Sequence, residues 1–293
     1  MNPSRDHHFV PVFYLKQWVG PSGKLIEYSQ KQGKLIPKPV GPQATGFERH
    51  LNSFPELPPE LAEFLEDEFF KSADNDAALV LQKMLAGALK SLDGKQRSAW
   101  SRFLIGTKMR HPDSMSEFRA HALKLWRQTG VSSQAEYEKI RNESDPATFD
   151  DYIAARDPLT EVKAQVRLIS KAIDNEILGK RINSAIWAVL DVSNGPNRLL
   201  TSDRPLEIFK FQEPTGMLAI PISPKHLFVA SFDRSLINKL VDTNVRELVT
   251  RSNDFVVSRA RRFAYANNEL QELFIAKRFG TRKEAVPFFP TLA

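Results

Sequence analysis

An apolar stripe in the second quarter of the chain constrains the fold more than any other feature. After Pro58-Pro59, the residues Leu61, Phe64, Leu65, Phe69, Ala73, Ala77, Val80, Leu81, Met84, Leu85 and Leu89 recur at mostly three- and four-residue intervals. That spacing lines one side of an α-helix, and the side must be buried against another layer. The stripe continues past Asp74-Asn75-Asp76, so it reads as one long helix or two nearly collinear ones. The same reasoning predicts helices over 95–109, with Trp100, Phe103 and Leu104 inward, over 115–129, ending near Gly130, and over 160–177. Shorter helices are expected over 133–142 and 147–155, between Asp-Pro breaks at 145–146 and 157–158.

The pattern changes at Lys180. Runs at 185–192, 198–201, 217–220 and 227–230 are short, β-rich and separated by Gly and Pro, which reads as an antiparallel sheet. Earlier, Leu25 to Ser29 and Lys34 to Ile36 flank Gln32-Gly33 as a hairpin. Helices return at 236–259 and 270–279. The expected fold class is α+β, mostly helical, with a small antiparallel sheet drawn from the N-terminal hairpin and the 185–230 region. No linker interrupts it. A single domain over 1–293 is expected, with a helical part at about 58–178, a β-rich part at about 182–232 and C-terminal helices at about 234–280.

The chain of 293 residues has no cysteine, which excludes disulfides, thiolate zinc sites and cysteine nucleophiles. No apolar run approaches the length of a bilayer span, and no apolar stretch follows the first charges as in a secretory signal. A soluble, cytoplasmic protein without membrane contact is expected. The formal charge of +6 is concentrated late, from Arg246 through Arg251, Arg259, Arg261, Arg262, Lys277, Arg278 and Arg282 to Lys283, and would assist contact with nucleic acid or another anionic ligand. There is no Walker loop, no Rossmann glycine pattern, no His-Glu-x-x-His and no nucleophile elbow.

Residues 1–6 read as a loose tail, after which His7-His8 lead straight into Phe9-Val10-Pro11-Val12-Phe13-Tyr14-Leu15 and Trp18. Two imidazoles beside an apolar segment read as groups fixed against the body of the protein. Arg110-His111-Pro112, Thr201-Ser202-Asp203-Arg204-Pro205 and Pro221-Ile222-Ser223-Pro224 are further compact motifs. In this set and order, with Asn244 downstream, the chain resembles a bacterial family known as domain of unknown function 4238. That family opens on a His-His-x-x-Pro-x-x-Tyr-Leu motif, then has a hairpin, an acidic helix with a glutamate that Glu63 or Glu66 matches, and an Arg-x-Pro element. Thr-Ser-Asp-Asn-Pro follows, in which Arg204 replaces the usual Asn, then Pro-x-Ser-Pro, and last an Asn in a helix, matched by Asn244. The resemblance implies a fold and a site, not a reaction.

The candidate catalytic residues are His7, His8, Asp203 and Arg110, with Ser202, Arg204 and Asn244 as substrate-binding candidates. A histidine would move a proton, Asp203 would orient it or hold a cation, and Arg110 would stabilise negative charge. Glu63 and Glu66 lie three apart on a helix and could share a divalent cation. Each has a structural alternative: the histidines could cap or bond backbone, Asp203 could close a turn, Arg110 could brace a buried acid, and the glutamates could be a solvated face. The leading expectation is a hydrolase or nuclease acting on an anionic substrate through a His/Asp/Arg site. The rivals are a non-catalytic interaction or regulatory module and a nucleic-acid binder without chemistry. The oligomeric state and pathway are not legible.

Overall fold

The computed structural model of the protein describes residues 6–282. Of the expected tail at 1–6, residues 1–5 lie outside the described residues, as does the last basic residue, Lys283, whereas Asp6 belongs to a strand. The histidine pair enters as β1 (Asp6–His8), and Pro11 then starts α1 (Val12–Leu15), which tightens into a 3-10 turn over Lys16–Trp18. The hairpin forms as β2 (Leu25–Lys31) and β3 (Lys34–Val40), with Gln32 and Gly33 at φ 49° and 77°. Positive φ at both central residues matches the twist of the strands. β4 (Phe47–Arg49) pairs antiparallel with β1, setting His7 opposite Glu48 and His8 opposite Phe47. Gly46 precedes it at φ 67°, where an added Cβ would stand 3.0 Å from the Val10 side chain. Only glycine suits that close approach.

The apolar stripe is buried as expected, but its helix is interrupted. α2 (Pro59–Ala62) ends at Glu63, a π-helical segment spans Leu65–Lys71, and α3 (Ser72–Leu85) completes the run. The π turn brings Glu66 inside together with Leu65 and Phe70. α4 (Gly94–Met109) is closed by a capping box between Asp93 and Gln96. α5 (Pro112–Ile140) is one helix where two were expected, because a lone glycine at 130 costs only about 1 kcal/mol in a helix. α6 (Phe149–Arg156), α7 (Thr160–Ile173) and α8 (Glu176–Ser184) follow, α8 beginning at a cap from Asn175 to the Leu178 N–H.

The β-rich part contains β5 (Ile186–Asp191), β6 (Thr201–Ser202), β7 (Glu207–Phe209), β8 (Met217–Ser223) and β9 (His226–Ser231). The C-terminal helix is two, α9 (Arg234–Asp242) and α10 (Val245–Ser258), divided by the cap at Asn244. β10 (Ala264–Ala266) and α11 (Glu272–Arg278) end the described chain. One sheet has the order β5-β9-β8-β7 and the other β3-β2-β10-β6. The run at 198–201 therefore leaves its neighbours and joins the hairpin's sheet through β10. Two side chains hold it there: Trp18 donates to the Leu199 carbonyl, and Asn253 accepts from the Leu200 N–H.

The fold is α+β, as the patterning predicts. Leu218, Ile220, Phe228 and Ala230 on one face of the β5-β9-β8-β7 sheet meet Trp100 and Phe103 of α4, with Tyr14 and Trp18 between the layers. The opposite face, with Ala219, Leu227 and Val229, lies under α9 and α10. Among the described residues no helix is long and apolar enough to cross a membrane.

Candidate functional site

The N-terminal segment is fastened to the strands that follow it by nearly two hundred residues. The Tyr14 hydroxyl is buried, donates to the Pro221 carbonyl at 2.7 Å and bonds Thr201 Oγ1 at 2.7 Å. Burial pushes the Tyr14 phenol far above its ordinary range, so it stays protonated and able to donate. Phe9 completes the junction, its ring 5.7 Å from that of His111 and stacked 6.3 Å from that of Phe263. The stretch carrying His7 and His8 thus lies beside the turn that carries Asp203.

Asp203 is buried at the end of β6. Its Oδ1 accepts the Arg261 N–H at 3.0 Å, and its Oδ2 accepts from Arg262 and Phe263 at 2.5 and 3.3 Å. A carboxylate with several main-chain donors is held in one orientation. From that position Oδ2 stands 3.4 Å from Nε2 of His111. His111 is buried because it caps α5: Pro112 fixes the first helical φ, and Nδ1 accepts the Asp113 N–H at 3.2 Å. With Nδ1 accepting, the ring proton sits on Nε2, toward Asp203. Arg204 follows Asp203 and folds back, its Nη2 lying 2.8 Å from Asp113 Oδ2 and 3.3 Å from His111 Nδ1. His111 and Arg204 line a small recess with Thr107, Lys108 and Ser114. Its volume of about 10 Å³ suits one water molecule. The Thr107 hydroxyl oxygen, in a residue only 5% exposed, has no hydrogen-bond partner among the described residues.

The other candidates engage partners of their own. Arg110, next to His111, is buried and forms a two-pronged pair with Asp74, both contacts at 2.9 Å. Burial raises the Asp74 carboxyl above its ordinary range, and the Arg110 guanidinium draws it back. His7 is buried on the far side of β1. Its Nδ1 accepts the Asn52 N–H at 3.0 Å, and its Nε2 lies 2.9 Å from Glu63 Oε2, off the line of a good hydrogen bond. Its acceptor nitrogen is thereby occupied. His8 is half-buried, with Nε2 3.3 Å from the Gln43 carbonyl. Burial lowers its pKa, against that bond and the charges of Glu66, Asp6 and Asp74.

Glu63 accepts from the Ser53 hydroxyl at 2.7 and 2.8 Å, while Glu66 accepts from Asn52 Nδ2 at 2.9 Å. The two carboxylates serve different partners. Among the described residues no group of three or more His, Asp or Glu side chains is arranged to hold a metal ion. Ser202 Oγ accepts the Arg204 N–H at 3.1 Å, a local turn bond. Asn244 caps α10 through the Arg246 N–H at 2.9 Å. Of the late basic residues, Arg262 pairs with Glu48, and Arg278 and Arg282 both pair with Asp254.

Reading by motif missed His111, Asp113, Asp74 and Asn52. A histidine immediately before a proline at a helix start was the visible signal for the first. Asp74, an acid set against an otherwise apolar stripe, was the signal for the partner of Arg110. Comparison with known proteins agrees with the family resemblance. A family model described as protein of unknown function, DUF4238, matches residues 6–269. The chain belongs to DUF4238. No curated protein and no solved structure matches it. Within this DUF4238 chain the matched region takes in His7, His111, Asp203 and Asn244.

Proposed function

We propose that this DUF4238 protein is a hydrolase acting on an anionic substrate, with His111 as general base. The observation that carries the reading is a water-sized recess lined by His111 and Arg204, with Asp203 behind the imidazole. Asp203 fixes the ring with its proton on Nε2 and stabilises the imidazolium that forms when Nδ1 takes a proton. Arg204 spans the Asp113 carboxylate and His111 Nδ1; moving onto a substrate phosphate or carboxylate, it would leave on that lone pair only the 3.2 Å cap bond from the Asp113 N–H, which opens when Nδ1 takes the proton of the water. Thr107 and Ser114 would orient the attacking water in the recess. Asp203 is then a positioning residue, as are Arg110 through Asp74 and His7 through Asn52. A phosphodiester of nucleic acid is one substrate of the right charge, and an absence of cysteine fits a cytoplasmic setting.

A specific observation favours the rival, non-catalytic reading: His7, Arg110 and Asp203 are all engaged inside the protein, as structural pins would be. His111→Asn separates the two, because asparagine Oδ1 can replace Nδ1 as the helix cap while removing the base. The wild type and this variant would be assayed on phosphomonoesters, phosphodiesters, carboxylate esters and single-stranded nucleic acid. The hydrolase reading expects turnover of at least one anionic substrate, reduced roughly 10²–10⁴-fold in His111→Asn. No turnover by the wild type, or equal turnover by both, leaves the structural reading.

A further inference from the structure

A more spacious cavity than the recess at His111 lies elsewhere, on the face of the β5-β9-β8-β7 sheet opposite the main core. Helices α9 and α10 cover the β5 and β9 side of this face and leave the β8 and β7 side open, as a groove of about 410 Å³. That volume falls in the range of small-molecule sites. Its floor is apolar: Met217 and Ala219 from β8, Leu227 and Val229 from β9, with Leu240 and Leu248 above.

One acid stands among them. Glu207 is the cross-strand partner of Ala219, so strand alternation sets its carboxylate on the apolar face while Ile208 points to the core. Glu207 makes no hydrogen bond or ion pair with any described residue, although the groove is rich in arginine. Burial raises its pKa, and the charges of Arg259 and Arg251 draw it back from a distance. A part-buried carboxylate that faces a groove takes its hydrogen bonds from whatever the groove holds.

The arginines differ in what they have left to offer. Arg278 and Arg282 share Asp254, at 2.9 and 3.0 Å, which closes the charge at that end. Arg259 lies over the Phe255 ring at 3.9 Å, behind the wall of the groove. Arg251 has only a 3.7 Å contact with Glu247, and its side chain is 72% exposed. The least committed groups facing the groove are therefore one carboxylate and one guanidinium, near enough that the Arg251 charge acts on Glu207.

We infer that this groove binds a free apolar α-amino acid, its ammonium on Glu207, its carboxylate on Arg251 and its side chain on the Met217–Leu227–Leu240 floor. An ammonium supplies the donors that Glu207 lacks, and a guanidinium fork matches a carboxylate. A purely anionic amphiphile would leave Glu207 unpaired and facing like charge. The site is independent of the hydrolase reading.

Calorimetric titration with L-leucine, L-methionine and L-phenylalanine tests it, using the full chain. N-acetyl-L-leucine lacks the ammonium, L-leucinamide lacks the carboxylate, and glycine lacks the apolar body. At least one of the three amino acids is expected to bind saturably, and each control at least tenfold more weakly. Glu207→Gln and Arg251→Gln should each weaken binding at least tenfold; the exposed position of Arg251 keeps that variant folded if the other is not. Failure of all three amino acids to bind overturns the inference. So does N-acetyl-leucine or leucinamide binding as well as leucine, or Arg251→Gln binding like the wild type.

Discussion

Nε2 of His111 lies 3.4 Å from Oδ2 of Asp203, across 92 residues of sequence, and both side chains are buried. The same carboxylate gathers the main-chain N–H groups of Arg261, Arg262 and Phe263. Removing it strips several donors at once in a site that water does not reach. Hydrogen bonds to charged groups are worth about 1.5–3 kcal/mol each, though their losses do not simply add. Asp203→Ala should lose on the order of 3 kcal/mol or more of unfolding free energy by denaturant titration. Asp203→Asn keeps an acceptor oxygen and should lose less. Equal stability of Asp203→Ala and the wild type would contradict the role given to this carboxylate.

The histidine pair divides the same way. His7 Nδ1 accepts the Asn52 N–H in the interior, so His7→Ala leaves that donor unpaired and should cost about 2–3 kcal/mol. His7→Asn, whose Oδ1 can take the place of Nδ1, should recover part of the loss. A substitution series read by thermal unfolding distinguishes them. If alanine and asparagine cost the same, the Asn52 bond is not what holds His7.

The buried Arg110, next to His111 in sequence, pairs with the part-buried Asp74. Arg110→Met leaves the carboxylate alone and should cost about 3–5 kcal/mol, while adding Asp74→Leu should recover most of that loss. The pH dependence has a definite sign. The folded-state pKa of Asp74 is raised, so the folded protein binds the proton more tightly than the unfolded chain. Its contribution to stability is therefore greatest below the ordinary carboxyl value and declines as pH rises through the folded value. Arg110→Met removes the opposing charge and should steepen that decline. A flatter profile in Arg110→Met would count against the pairing.

His8 titrates in the opposite sense. Its folded pKa is lowered below the ordinary 6.5, chiefly by burial, so the folded protein holds its proton more weakly. The stability this group allows is full above pH 6.5 and is lost as pH falls through the folded value. His8→Gln should flatten the stability profile on the acid side of 6.5 and leave it unchanged above neutrality. An unaltered acid limb in the variant would show that His8 is not the group responsible.

The fold was legible wherever a long stripe or a strong turn signal wrote it. The helices of 58–178 were read from apolar spacing, and Gln32-Gly33 marked the hairpin. What stayed hidden depended on contacts far apart in sequence. Thr201–Ser202 reads like its β neighbours, yet Trp18 and Asn253 hold it beside Ala264–Ala266, a strand too short to show periodicity. The π segment at Leu65–Lys71 was invisible because the stripe is continuous there; an inward Glu66 received by Asn52 accompanies the change of register. At the site, Asp203 was read from its motif, but its partner was not, since a histidine before Pro112 looks like a helix start and nothing more until the chain is folded. Arg110 and His111 are adjacent in sequence and face different acids, which no linear pattern reveals.

The protonation of the His111 ring is the most direct test of the account. Nitrogen-15 NMR of the imidazole, in wild type and Asp203→Asn, distinguishes the two neutral tautomers. The proton should sit on Nε2 in the wild type, leaving Nδ1 the acceptor of the Asp113 N–H and of Arg204, and that preference should weaken in Asp203→Asn. A ring protonated on Nδ1 in the wild type, or a pattern unchanged by the substitution, would contradict a base held in place by Asp203.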